Sequence, residues 1–478
     1  MPVDTPSRDY KANSDTWAQI RALSAGAAAA RAHVLEPPGM KPDRIASFRK
    51  RAYYLPALPR TVETFGGLIF LRDPKIEAPD GLDDYREDAT LTGLPFEGLA
   101  SWVVSEMLEV SRVAVHVDFP PAEAGLTVAE AERRGLRAYA RVYETETILG
   151  ADYERVGGVR RLSRVRLKES RYETDPETFE ETEIKRVRVL ELRGGEYVQR
   201  VFEQEPNSGQ WNEVESFTPL RNGAPLDYIP IFFFNHRDHD ATPIRPPLAD
   251  LAEVSISHLN TSALLEWGEL WTANPTPWFA GVQAAPTNDE GETENGSTYA
   301  INLGSSEAIL LDKEGSAGFL EFGGQGLDRL AETMDRKEKH MAALGTRMLL
   351  DDPRAPVAAE TARIQRAGEN STLGKIATIA SKGLTAVLRE LALWAGVQDV
   401  DSITVTLNRN FMPAGLTPEQ IKAYLAAIMA GEMSSQEFYS ILQSADLVPE
   451  QKPFEEHQEE IQQNPNLVPP DDPERQAA

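Results

Sequence analysis

The sequence predicts an α+β fold, and three observations carry that prediction. The first 115 residues are mixed, with helical patches broken by Pro and Gly. From Leu136 to Phe234 apolar and polar residues alternate with a period of two, as half-buried strands require. After Asn235 the apolar positions recur every three and four residues over long stretches, as amphipathic helices require.

At the N-terminal end, Trp17 and Ile20 sit on one short amphipathic stretch. Ile45, Phe48 and Tyr53 mark another that stops at Pro56. Leu68–Leu71 reads as a strand closed by Asp73-Pro74. Leu99–Val110 reads as a helix burying Trp102, Val103, Met107, Leu108 and Val110. A strand, Val113–Val117, follows it and ends at Phe119-Pro120-Pro121.

In the alternating region Arg164, Arg166 and Lys168 interleave with Val165 and Leu167, and Arg186 and Arg188 with Val187 and Val189. Gly194-Gly195 before Tyr197–Phe202 predicts a tight hairpin, and Pro206-Asn207-Ser208-Gly209 the next turn. The region is therefore expected to be an antiparallel sheet. Its basic stripe suits nucleic acid, but Glu196, Glu203 and Glu205 stand nearby as cross-strand partners, which favours a solvated sheet face.

From Pro246, Ala252, Ile256, Leu259, Ala263, Trp267, Leu270 and Trp271 form one apolar stripe, ended by Asn274-Pro275-Thr276-Pro277. A Gly-, Ser- and acid-rich segment follows to Gly324, with strand-like pieces at Tyr299–Leu303 and Ala308–Leu311. A second helix begins near Gln325. Leu327, Leu330, Met334, Met341, Leu344 and Met348 make its heptad seam, interrupted by Lys337, with Asp328, Glu332, Asp335 and Lys339 opposite. About 20 residues at 1.5 Å each give a rod of roughly 30 Å. Leu349–Ala358, with Asp351, Asp352, Pro353, Arg354 and Pro356, breaks the helix. A longer helix starts near Ala359. Its apolar face runs from Leu373 through Ile376, Ala380, Leu384, Val387 and Leu391 to Trp394, with Gly368, Gly374 and Gly383 inside it. Ile403–Leu407 returns as a strand. Leu416-Thr417-Pro418-Glu419-Gln420-Ile421 and Met433-Ser434-Ser435-Gln436-Glu437-Phe438 are capped helix starts and predict a helical hairpin. Beyond Pro449 the acidic, Gln- and Pro-rich chain is expected to be disordered.

Composition narrows the function. Of 478 residues, 41% are hydrophobic, enough for one large core or several smaller ones. There is no cysteine, which removes disulfides and thiolate metal ligands. Met1 to Asp15 is polar and carries no secretory pattern, and no apolar run approaches the roughly 20 residues of a membrane span. The net charge of -26 argues against tight DNA binding and suits a surface past which DNA slides.

Catalytic motifs fail individually. Gly368 to Gly374-Lys375 has the wrong spacing for a phosphate loop and lacks the following Ser or Thr. Gly323-Gly324-Gln325-Gly326 reads as a turn. The best metal candidate is His236-Arg237-Asp238-His239-Asp240, in which His236, Asp238, His239 and Asp240 are ligand types. Short polar runs of this kind after a strand are more often loops. His33, His116, His258 and His340 are isolated and expected to be structural or solvent-facing.

The order of these pieces is similar to that of tailed-phage portal proteins, and in particular to a portal-like phage family known only as a domain of unknown function. The resemblance is carried by Arg51-Ala52-Tyr53-Tyr54-Leu55-Pro56, Arg60-Thr61-Val62, Gly66-Gly67-Leu68-Ile69-Phe70 and Val115-His116-Val117-Asp118-Phe119-Pro120. Pro247-Leu248-Ala249-Asp250-Leu251-Ala252-Glu253, Asn274-Pro275-Thr276-Pro277 and Glu360-Thr361-Ala362 complete it. It covers nearly the whole chain except the C-terminal tail.

The resemblance implies a portal-like fold: a mixed α/β wing (1–245), stem helices (246–273 and 325–345), and a small α/β clip between them (274–324). A tunnel loop (346–358), a long tunnel-side helix with a returning wing strand (359–411), a helical C-terminal crown (412–448) and an acidic tail (449–478) follow. It implies a ring, twelve subunits in the mature virion, made in the bacterial host cytoplasm and set at a capsid vertex. Its partners would be the large terminase subunit, major capsid and scaffolding proteins, head-completion or adaptor proteins, and double-stranded DNA passing without sequence-specific binding. It implies no membrane, no cofactor, no metal and no catalytic residue, ATP hydrolysis belonging to the terminase. Asp351, Asp352 and Arg354 would lie near the DNA; Asp289, Glu290, Glu292 and Glu294 would face terminase and adaptor. The alternatives are another capsid-associated adaptor or scaffold, and a metal-dependent hydrolase built on the His236–Asp240 cluster.

Overall fold

A computed structural model of the chain describes residues 2–120, 136–206, 208–273, 276–282, 311–320, 324–347, 372–409, 411, 433–444 and 453–454. In chain order the helices are α1 (Arg8–Ser24), α2 (Ala27–Ala30), α3 (Pro42–Arg51), α4 (Ala57–Ile69), α5 (Asp83–Glu87), α6 (Phe96–Glu109), α7 (Ala249–Ala273), α8 (Gln325–Arg347), α9 (Thr372–Trp394) and α10 (Ser435–Ser444). The strands are β1 (Lys75–Glu77), β2 (Val113–Asp118), β3 (Tyr139–Glu144), β4 (Ile148–Val156), β5 (Val159–Thr174), β6 (Glu181–Arg193) and β7 (Glu196–Gln204). They continue as β8 (Trp211–Phe217), β9 (Leu220–Arg221), β10 (Ala224–Pro225), β11 (Ile231–Phe234), β12 (Thr276–Val282), β13 (Leu311–Leu320) and β14 (Thr404–Thr406). The architecture is mixed α+β. Its contacts form two compact units: Thr5–Glu63 with Pro243–Thr346, and Met1–Asp4 with Thr64–Thr242 and Arg347–Ala478.

The first of these units is helical, with one hairpin. Ser7 caps α1, its Oγ accepting from the Tyr10 amide at 3.2 Å, and Trp17, Ile20 and Leu23 form the buried face. Pro42 stands in the first turn of α3, where its missing N–H costs nothing, and Phe48 is buried edge-on to Trp267 at 5.7 Å. α7 buries Leu251, Ala252, Leu259 and Ala263, and its exposure rises after Ala263.

Leu68–Leu71 is not a strand: α4 runs to Ile69. Leu58, Val62, Phe65 and Ile69 recur at four, three and four residues and are all buried, so the helical period outweighs the local apolar run. The strand nearest that position is β1, which pairs with β14 in the register Lys75↔Thr406 to Glu77↔Thr404. Trp102 also departs from expectation: it lies on the open side of α6, 40% exposed, while Val103, Met107, Leu108 and Val110 are buried.

The second unit is built on two antiparallel sheets, β11-β2-β3 and β4-β5-β6-β7-β8. Gly194 and Gly195, at φ 63° and 91°, make the expected tight turn between β6 and β7. Register shows that the basic residues do not form one stripe. Leu167 pairs with Arg188 and Lys168 with Val187, so Arg188 shares a face with Val165 and Leu167, and Arg164, Arg166 and Lys168 lie on the opposite face. Arg186 ion-pairs with Glu203 at 3.1 Å, as the cross-strand reading required.

Arg188 is the centre of a buried polar cluster between the two sheets. Its Nε donates to Glu169 Oε1 at 2.8 Å and its Nη1 to Gln199 Oε1 at 2.7 Å. Gln199 Nε2 donates to Asp118 Oδ1 at 2.7 Å, the Tyr143 hydroxyl to Glu169 Oε1 at 2.6 Å, and Arg141 ion-pairs with Glu169 at 3.1 Å. Burial works against charge on Glu169, yet the Arg188 and Arg141 guanidiniums hold its carboxyl below the usual range. His116, fully buried alongside, shares a hydrogen bond of 2.8 Å with the Tyr197 hydroxyl. Around this cluster Ile148, Val165, Leu167, Leu190, Ile231 and Phe233 form the apolar core.

α9 packs against α6, β11 and β14. Leu373, Ile376, Ala380, Leu384, Val387 and Leu391 are buried, as the sequence predicts, and the start expected near Ala359 lies outside the described residues. Gly383 has a packing reason: a Cβ there would stand 2.3 Å from the Phe234 ring and 2.9 Å from that of His239. At the C-terminal end, the Ser434 Oγ accepts from the Glu437 amide at 3.1 Å and the Ser434 amide donates to Glu437 Oε2 at 2.8 Å, the reciprocal capping box of α10. The partner helix expected from Thr417 lies outside the described residues. Phe454, within the stretch expected to be disordered, sets its ring 5.4 Å from Tyr439.

Two outcomes are expected from this packing. Gly383→Ala forces a Cβ into two rings and should destabilise the chain by about 1–3 kcal/mol in urea denaturation. Burial pushes the His116 imidazole down to about 4 from its ordinary 6.5. Its folded pKa is thus below the unfolded one, so its stabilisation is present above pH 6.5 and lost as pH falls through 4. That loss is about 1.4 kcal/mol per pH unit and about 3 kcal/mol in all. Denaturation at pH 7 and pH 4 should show His116→Gln losing less stability on acidification than the wild type, by about that amount.

Candidate functional site

The His236–Asp240 loop follows β11, and each of its candidate ligands already serves the fold. Asn235 Oδ1 accepts from the Arg237 and Asp238 amides, both at 2.7 Å, and Asp238 Oδ1 accepts from the Asp240 amide at 2.8 Å. These bonds wind the loop into consecutive Asx turns. His239 Nδ1 lies 3.0 Å from the Phe233 carbonyl. Asp240 ion-pairs with Arg160 at 2.5 Å and accepts from the Thr242 amide at 2.8 Å.

His236 Nδ1 meets the Ser111 Oγ, which also accepts from the His236 amide at 3.1 Å. Burial, with Arg237 nearby, pushes the His236 imidazole down to about 4. Ser111 is fully buried at φ 57°, and its amide donates to the Glu106 carbonyl at 3.0 Å. That is the left-handed C-cap of α6, so the Ser–His pair stitches a helix end to a loop. Four side chains aimed at four partners make a poor ligand set, and among the described residues no three His, Asp or Glu groups gather as a metal site would need. Ser111 was invisible to sequence reasoning because it lies 125 residues from its partner.

The helical unit offers a different kind of site. Ser255 Oγ approaches Met341 Sδ at 3.3 Å, His258 Nε2 approaches Glu338 Oε1 at 3.2 Å, and Lys337 Nζ donates to the Ser257 carbonyl at 2.8 Å and the Thr261 Oγ1 at 2.6 Å. Further along, Gly268 faces Leu327, whose Cδ2 would stand 2.4 Å from an added Cβ. As one number rises the other falls, so α7 and α8 run antiparallel. Lys337, which interrupts the seam in sequence, reaches across it to α7 in the structure. Burial lowers its ammonium pKa.

Between these helices stands the β12–β13 hairpin, in the register Thr276↔Leu320 to Ala280↔Ser316. Gly318 lies beneath the Trp278 ring, where a Cβ would meet Nε1 at 3.1 Å. On α7 and this hairpin Leu264, Trp271, Trp278, Phe319 and Leu320 are exposed by 41–69%. On α8, Leu327, Leu330, Met334 and Leu344 are only half-buried and Met341 alone of the described seam is buried, while Asp328, Glu332, Asp335 and Lys339 face solvent as predicted. Asp289, Glu290, Glu292, Glu294, Asp351, Asp352 and Arg354 lie outside the described residues, as do the strand-like pieces expected at Tyr299–Leu303 and at Ala308–Leu311, except Leu311 itself, which begins β13.

The family model for the Domain of unknown function (DUF4055) matches residues 247–395, a stretch containing α7, β12, β13, α8 and α9. No curated relative matches the chain. Among solved structures, the chain is similar to one in the virion of a native gene transfer agent particle, at 15% identity and a TM-score of 0.39, covering 89% of this chain and 98% of that one. A chain in the neck of the empty particle, computed with C6 symmetry, gives the same values. One in the neck of the native particle, computed with C12 symmetry, gives 14% identity and a TM-score of 0.37 over 87% and 98% of the two chains. Among the described residues no helix is long and apolar enough to cross a membrane.

The loop's structural role has a direct check. Metal analysis of the purified protein should find no stoichiometric metal. His239→Ala, losing its bond to the Phe233 carbonyl, should destabilise by about 1 kcal/mol in urea denaturation. Stoichiometric metal that His239→Ala abolishes would make the loop a ligand set after all.

Proposed function

We propose that this chain is the portal subunit of a phage-type particle, a ring-forming structural protein through which DNA is packaged and later released. One observation carries the reading: an antiparallel helix pair holds an inserted hairpin, and the large apolar side chains of that arm are left open within the unit. Trp278 and Leu320 share one face of the strand pair, with Phe319 on the other, and large apolar side chains left in water in such numbers mark an interface. The DUF4055 match falls on this same stretch and agrees with the portal-like resemblance read from the sequence.

On this reading 246–273 and 325–345, which hold α7 and most of α8, are the stem, 274–324 the clip and 346–358 the tunnel loop. Asp351, Asp352 and Arg354 stand near the DNA, and Asp289, Glu290, Glu292 and Glu294 face the packaging motor. The subunit holds no catalytic site; its acidic surface, repeated around a channel, keeps DNA from adhering while the terminase drives it.

Negative-stain electron microscopy with native mass spectrometry should show closed rings of about a dozen copies around a channel, alone or with the cognate capsid and scaffolding proteins. Leu264→Glu with Phe319→Glu, both at exposed positions, should keep the monomer's melting temperature and abolish the rings. A chain that stays monomeric in all these conditions overturns the assignment.

A further inference from the structure

A ring closed head-to-tail needs two different, complementary patches on each copy, and apart from the exposed apolar side chains of the α7–α8 arm the chain carries such a pair. The first is the end of the β5–β6 hairpin. Ser170–Thr174 pair with Glu181–Lys185, past the last residues that β4 and β7 pair with, so this end is a two-stranded ribbon exposed on both faces. Such ribbons are marginal without support, yet this tip is well tied. Asp175 Oδ1 accepts from the Glu177 and Thr178 amides at 2.7 and 2.9 Å, and the Phe179 amide donates to the Asp175 carbonyl at 2.9 Å. Phe179 is held at φ 58°, a backbone state bulky residues rarely adopt, with its ring 78% exposed. Residues 170–185 carry six carboxylates and two cations. The tip is an aromatic knob with an acidic collar.

The second patch is the segment 31–60. In a chain of net charge -26 it carries seven cations and two carboxylates. Lys41, Arg44, Lys50 and Arg51 are exposed. The same segment lines a cleft of about 540 Å³, with Ala32, Val34, Leu35 and Ile256 as its apolar walls and Gln19, His33, Arg49 and Asn260 among its polar lining. One of the segment's two carboxylates, Glu36, also lines the cleft and is already paired with Arg49 at 2.9 Å. Leu35 is 74% exposed at the cleft. The cleft is a mixed apolar and polar socket in a basic segment.

We propose that the β5–β6 tip of one copy docks into this cleft on the next copy, Phe179 entering the socket while Glu177, Glu180 and Glu181 meet Lys50 and Arg51. The charge match argues for a second copy as the occupant: the segment that is basic in this acidic chain faces an acidic tip the same chain supplies. A buried aromatic ring ringed by charge pairs is the usual make-up of an interface anchor. The proposal rests on the ring reading and adds a contact to it.

The absence of cysteine makes cross-linking clean. Mixing Phe179→Cys and Leu35→Cys proteins under mild oxidation should give a mixed disulfide joining positions 179 and 35, identified by peptide mass spectrometry. Reversing Glu177, Glu180 and Glu181 to Lys, or Lys50 and Arg51 to Glu, should raise the concentration for half-assembly at least tenfold, and combining both sets should restore it. Wild-type rings that are insensitive to both reversals and give no 35–179 link overturn the docking and leave the ring reading standing. A chain with neither rings nor link loses both. If reversing Lys50 and Arg51 weakens duplex DNA retention but not assembly, the basic segment serves nucleic acid and the docking is wrong.

Discussion

The sheet unit depends on a charge balance sealed between its two sheets. Glu169 and Asp118 lie on one side of the ledger and Arg188 and Arg141 on the other, tied by Gln199 and Tyr143. Arg141 reaches in from the rim, 38% exposed, but an isolated charge at the depth of Glu169, Asp118 or Arg188 would cost several kcal/mol, so none of these three is stable there without the rest. The cluster also fixes register. A one-residue slip of β6 would turn Arg188 to the opposite face and place Val187 against Glu169. The β5–β6 ribbon therefore leaves the sheet in one orientation, and whatever its tip meets is set by ion pairs far behind it.

What the sequence reveals here divides by the range of the interaction. Local chemistry is legible: the Ser434–Glu437 box, the Gly194-Gly195 turn, the α8 seam and the α9 face are each written within a few residues. Face assignment is less so, because Arg188 looks like part of a solvent stripe until pairing with Leu167 places it inside. Leu68–Leu71 misleads for a related reason, since four apolar residues carry no period of their own and the buried row from Leu58 decides them. Long-range stitches are silent. Nothing near His236 announces Ser111, and nothing near Lys337 announces the Ser257 carbonyl. The β12 strand was hidden by Pro277, which argues against a strand interior by its missing donor.

The two candidate sites differ in how their polar groups are used. In the His236–Asp240 loop the donors and acceptors turn inward, so its chemistry is spent on shape. Along α7 and α8 the polar groups His258, Lys337 and Thr261 bond across the seam, while Leu264, Trp271, Trp278, Phe319 and Leu320 stay exposed. Five large apolar side chains left in water are costly for a free monomer and natural for a subunit. A polar seam also suits a helix pair that must keep its register before any neighbour arrives, because directional bonds specify alignment more sharply than apolar contact does.

Association of such a chain has to overcome its own charge. Each copy carries -26, and like charges repel over about 8–10 Å at ordinary ionic strength. The exposed arm residues Leu264, Trp271, Trp278, Phe319 and Leu320 offer the opposing term. Burying what remains exposed of five large side chains is worth roughly 5 kcal/mol per contact. Bringing two molecules together costs about 4–15 kcal/mol, so one contact alone leaves an open pair weak. In a closed ring every copy makes two contacts, and the last subunit gains both for one loss of freedom. On the proposed portal reading, open intermediates are then scarce and the closed ring is favoured as a whole.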